Sequence, residues 1–247
     1  MTNTIGDMPH RTVARVAGLL YLAFIVAFAS SSFIQGHPIV SGDAAATATN
    51  ILASERLFRI GFTIELVAAL LFLLTAWALY VLLKPVNGSL ALLFLLLNVV
   101  GVAIECVSTL PRFAALLMLS RADYLKALSP DQLQGLAMFF LKFGGSGDTV
   151  SVLFYGAWLF PLGYLVVKSR FLPRFLGILL ILDGVSLLFC FFQLWLFPGY
   201  QRLTYPLYPV MFIAECGLAL WLLIKGVKDQ VGLNREQVEQ TNPNTTP

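Results

Sequence analysis

Charge is scarce in this chain: 12% of its 247 residues are charged and 58% are hydrophobic. A soluble domain carries roughly a quarter charged residues, and the mean hydropathy here is +0.82, so the composition indicates a bilayer rather than water as the main solvent. Histidine is scarcer still. His10 and His37 both lie outside the apolar runs, which leaves an intramembrane metal or haem site without imidazole ligands. Cys106, Cys190 and Cys216 are odd in number, sit inside apolar runs and have no paired spacing. Neither a disulfide framework nor a thiolate metal site follows from that pattern, and buried cysteine serves as a small hydrophobe. Basic runs are missing too. The net charge of +3 is spread among loops, which sets nucleic acid aside as a partner. No nucleophile elbow or metal-binding pair appears, so no cofactor and no catalytic residue is assigned.

Long apolar runs are abundant. A hydrocarbon core about 30 Å thick takes about 20 helical residues to cross, and six such runs are present, at about 16–34, 60–83, 90–112, 149–167, 175–197 and 203–224. The fold class is therefore all-α, a six-helix transmembrane bundle forming a single domain over residues 1–228, with a polar, disordered tail over 229–247. Lys and Arg near span ends stay on the cytoplasmic side. Arg11 and Arg15, Lys84, the group Lys168, Arg170 and Arg174, and Lys225 with Lys228 all fall on one side if both termini are cytoplasmic. Arg56, Arg59, Arg121, Lys126, Lys142 and Arg202 oppose them, so the bias is moderate. The start, with Arg11, Arg15 and the small residues Ala27 and Ala29, resembles a cleavable signal peptide ending near residue 29. The apolar stretch continues to Ile34, however, and suits a retained span.

Two loops on the outer side are long. In the first, Ser41 or Asp43 can cap a short alanine-rich helix that runs into the second span through Arg56 and Arg59. In the second, Ser129, Pro130 and Gln132 form the signature of a helix start with a capping box. Leu133, Leu136, Ala137, Phe140 and Phe143 follow at helical spacing, and Gly144 can end the element. This predicts a short interfacial amphipathic helix on the outer side, with Asp148 as the cap of the following span.

Five ionisable residues fall inside the spans: Glu65, Glu105, Arg112, Asp183 and Glu215. Each costs roughly 2.5 to 3.5 kcal/mol near a span's centre, which turns such residues toward other helices or water. Glu105 and Arg112 stand two helical turns apart and share one stripe of one helix. Pro111 between them removes a backbone hydrogen bond and frees a carbonyl. Four acids facing one deep arginine do not balance, so some must hold a proton or await a cation. The pattern predicts a polar pocket, opening outward, for a small solute, a cation or protons. The competing interpretation is that the same groups are interhelical ties in a membrane scaffold, each worth about 1 kcal/mol.

Two weaker patterns complete the reading. The stretch GSGD at 145–148 matches the Gly-x-Gly-Asp element of intramembrane aspartyl proteases, but Asp183 follows it instead of preceding it and no tyrosine stands before that aspartate. A shift of 118 residues superposes Arg56 on Arg174, Glu65 on Asp183, Trp77 on Trp195 and Lys84 on Arg202. The IEC and AEC triplets at 104–106 and 214–216 add a second echo. Three spans repeated with reversed threading would be a transporter-like architecture.

The segments ARVAGLLYL at 14–22, GDAAATATNILASERLFRIGF at 42–62, ALYVLLKPVN at 78–87 and GYLVVKSRFLPRFLGILL at 163–180 resemble the bacterial integral-membrane family called domain of unknown function 4386. The likeness extends over about residues 10–228. It implies a multi-helix protein of the bacterial cytoplasmic membrane, with the lipid bilayer as its certain partner, and brings no activity, cofactor or catalytic residue.

Overall fold

The computed structural model describes residues 10–120 and 122–227. Residues 1–9, Arg121, Lys228 and the tail 229–247 lie outside the described residues. Among the described residues six helical stretches are long and apolar enough to cross a membrane: α1 (His10–Gly36), α3 (Glu55–Leu83), α4 (Gly88–Met118), α5 (Pro130–Lys168), α6 (Arg174–Leu196) and, together with the turn before it from Tyr205, α7 (Tyr208–Ile224), with the short α2 (Ala44–Ala53) between the first two. The protein is an all-α, multi-pass membrane protein, and the short helix in the first long loop is formed as the sequence predicts.

Local chemistry sets the starts. Asp43 caps α2 by accepting the Ala46 amide at 2.8 Å, and Asn87 caps α4 by accepting from Leu90 at 3.0 Å. At α5 the capping box is complete: the Ser129 amide donates to Gln132 Oε1 at 2.9 Å and the Gln132 amide to Ser129 Oγ at 3.3 Å. One end of the bundle gathers Arg11, Arg170, Pro173, Trp221 and Lys225 around a shallow cleft. It is called the basic end below. The other, the α2 end, brings Ala48 and Leu52 against Leu119, Lys126 and Leu133.

Three expectations change. The amphipathic segment from Ser129 is helical, but it does not stop at Gly144; it is the first part of α5, which runs 39 residues without a break, about 58 Å. Asp148 is accordingly no cap and lies inside that helix. The reason is tertiary. A Cβ on Gly144 would stand 3.0 Å from the Ser108 carbonyl and 3.1 Å from Arg112 Cγ, and one on Gly147 would meet the Ser108 side chain, so Gly144 and Gly147 are where α4 and α5 touch, and close packing outweighs their weak helix preference. At α7 the regular helix starts at Tyr208 rather than near 203, after 3-10 turns at Pro198–Leu203 and Tyr205–Leu207. Pro209 sits in the first turn of α7, where its missing amide hydrogen is tolerated, but a regular helix begun near 203 would place it in the interior, where that hydrogen is needed.

Two apolar clusters flank a polar layer. The larger holds Tyr21, Phe72, Leu79, Phe94, Trp158, Leu162, Leu180 and Leu218 and reaches the basic end; the smaller holds Ile51, Phe58, Leu116 and Leu141 at the α2 end. In the larger one Phe24 and Phe72 stack at 4.1 Å, and Phe72 meets the Trp158 ring edge-on at 5.0 Å. The α5–α6 contact within it is made of backbone. A Cβ on Gly177 would stand 2.5 Å from the Gly163 carbonyl oxygen, and one on Gly184 2.9 Å from that of Gly156. With lipid on the outside, such close approach is the main source of helix association.

Candidate functional site

Between the two apolar clusters, α1, α3, α4 and α5 enclose a cavity of about 360 Å³. Arg112 is its centre. Its Nη1 donates to Glu65 Oε1 at 2.6 Å, and its Nη2 pairs with Asp148 Oδ2. One guanidinium on α4 therefore binds carboxylates from α3 and α5, one through each terminal nitrogen. Glu65 uses its second oxygen to accept from Gln35 Nε2 at 2.6 Å, and that same nitrogen lies 2.7 Å from Ser31 Oγ. Ser31 in turn donates to the Gly61 carbonyl at 3.0 Å. A chain of polar contacts thus crosses four helices.

Glu105, two turns before Arg112 on α4, accepts a hydrogen bond from the Tyr155 hydroxyl of α5. Gly101, one turn further back, makes room for it, since a Cβ there would lie 2.5 Å from the Tyr155 ring. Two residues lining this cavity each carry a buried acceptor with no protein partner, Gln35 Oε1 and Asp148 Oδ1. The exposed Ser32, Gly36, Ile39 and Gly145 mark its mouth toward the α2 end.

A second cavity, of about 320 Å³, lies between α1, α5, α6 and α7. Asp183 and Glu215 line it, together with Glu105 and Tyr155, which form part of both cavities. Asp183 is wholly buried, and neither of its oxygens has a hydrogen-bond partner. Glu215 lies close enough to interact with it electrostatically, and the buried Tyr21 side chain stands beside Glu215.

The five ionisable residues picked out by the sequence are therefore divided. Glu65, Glu105 and Arg112 meet in the first cavity, while Asp183 and Glu215 meet in the second, with Glu105 on the boundary. They face the interior: Glu65 is 6% exposed, Glu105 4% and Asp183 0%. Arg59 does not join them; it pairs with Glu55 at 2.8 Å on the exposed start of α3. Sequence reasoning missed Asp148, Tyr155, Gln35 and Ser31. Asp148 and Tyr155 also stand two turns apart on one stripe of α5, the same spacing as Glu105 and Arg112 on α4. That repeated spacing was the available signal, and the glycines around Asp148 obscured it by suggesting a helix end.

Six apolar helices around an interior layer of charge define a multi-pass helical membrane protein. The model of the family described as domain of unknown function 4386 matches residues 16–226, and the chain belongs to that family. No curated protein and no solved structure matches the chain.

Proposed function

We propose that the protein binds a small hydrogen-bond-donating solute or cation in the first cavity and passes it, or protons exchanged for it, through the membrane. What carries this reading is a pair of buried, unmatched acceptors, Gln35 Oε1 and Asp148 Oδ1, on two residues that line a 360 Å³ cavity. An unpartnered acceptor in a low-dielectric interior costs about 1 to 3 kcal/mol, and an ammonium or hydroxyl donor in the cavity would relieve that cost. The charge count supports the same choice of ligand. Glu65, Glu105 and Asp148 surround the cavity with one arginine among them, so an added cation or proton improves the balance and an added anion worsens it. Arg112 serves as a fixed positive post that holds two acids in place.

The same reading seats the chain in a bacterial cytoplasmic membrane with both termini inside. Arg11, Arg15, Lys84, Lys168, Arg170, Arg174 and Lys225 at the basic end support that orientation, and the mouth of the first cavity then faces outward.

One observation favours a second reading, a scaffold whose charges are only ties: Arg112 bridges α3 and α5 directly. A thermal-shift screen of purified full-length protein against small amines, amino acids and polyols separates the two, because a ligand of the folded state raises apparent stability. Binding predicts a saturable shift that Glu105→Gln removes while the unliganded melting point moves by only a few degrees. The scaffold reading predicts no shift from any solute, with charge-neutralising variants losing stability alone.

A further inference from the structure

We infer that the second cavity is a separate binding site for a small monovalent organic cation of the quaternary-ammonium type. Its walls are aromatic, with Phe24, Phe28, Phe72, Tyr155 and Phe212 lining it, and Asp183 and Glu215 supply its charge. Ring faces carry negative potential and replace water around a methylated nitrogen, while a carboxylate supplies the counter-charge. Among the described residues no positive group balances these two acids: no Lys or Arg lines this cavity, and neither Asp183 nor Glu215 has an ion pair.

Asp183 is the strongest sign of an external partner. Its carboxyl group is wholly buried with both oxygens unmatched, a condition that native interiors avoid or reserve for function. A hard metal ion does not suit the place. Calcium takes six to eight oxygen ligands and magnesium six, whereas among the described residues no group of three or more His, Cys, Asp and Glu side chains could hold a metal ion. Phe28 on α1 and Phe212 on α7 border the cavity on the lipid-facing side of two spans and are 46% and 65% exposed, so a cation entering between these helices would have to part the rings to reach the buried Asp183.

The test uses choline and its neutral isostere 3,3-dimethylbutan-1-ol on full-length protein in detergent, read by calorimetric titration and by melting point. Choline should bind saturably and raise the melting point, and the isostere should bind at least tenfold more weakly, since it keeps the shape and lacks the charge. Asp183→Asn and Glu215→Gln should each weaken choline at least tenfold. Phe212→Leu, a change at an exposed position that spares folding, should weaken it about threefold or more through the lost ring face. Equal binding of choline and the isostere, absence of choline binding to the wild type, or unchanged affinity in Phe212→Leu together with either acid variant would overturn the proposal.

Discussion

The two cavities share a wall and differ in how their charges are kept. In the first, Arg112 reaches Glu65 and Asp148, and Gln35 reaches Glu65, so most of the polar groups are matched by other polar groups of the protein. In the second, Asp183 is unmatched and Glu215 stands beside it without a cation. The first offsets part of its negative charge with the chain's own Arg112, while no Lys or Arg among the described residues lines the second. Burial by itself therefore says little about role; what a buried charge touches says more.

Removing the arginine should break the comparison most severely. Arg112→Met leaves Glu65 and Asp148 facing each other in the interior, and losing one member of a buried charge network costs about 3 kcal/mol or more. The Asp148 side chain is 34% exposed, which keeps the loss at the lower end of that range. Chemical unfolding in detergent should show it as a large fall in midpoint. Gly101→Val should come next. The added side chain meets the Tyr155 ring and drives it from Glu105, at about 1 to 3 kcal/mol for overpacking, and the same unfolding measurement should report the loss.

Asp183→Asn sharpens the comparison because its sign should be opposite. An unmatched carboxylate is replaced by a neutral amide, so without ligand the variant should keep or gain stability, by about 1 kcal/mol at most. A loss as large as that of Arg112→Met would mean that Asp183 has a partner like those in the first cavity. The smallest change is expected from Arg59→Ala. Its bond to Glu55 is exposed on both sides, and such pairs contribute about 0.5 kcal/mol or less.

The spans were legible because lipid leaves a coarse signature: about 20 apolar residues between polar ends, read without any knowledge of neighbours. The caps at Asp43 and Ser129 were legible for a similar reason, since each concerns residues three or four apart. Gly144 was misread as a helix end because glycine carries two meanings, a break in local terms and a contact in tertiary terms. Only the position of Ser108 and Arg112 on α4 decides between them. The site shows the same division. That Glu65, Glu105 and Arg112 avoid lipid follows from the cost of charge, but the choice of partner among four acids depends on helix rotation and crossing, which one-dimensional spacing does not contain. Asp183 and Glu215, on α6 and α7, were grouped with the others by cost alone, and packing gave them a chamber of their own.

The central claim is that Arg112 and Glu65 are energetically joined across α3 and α4 inside the bundle. A double-mutant cycle of Arg112→Met and Glu65→Gln, measured as unfolding free energies of the purified protein, tests it most directly. A coupling of about 1.5 to 3 kcal/mol is expected. Additive losses, with coupling below about 0.3 kcal/mol, would contradict it.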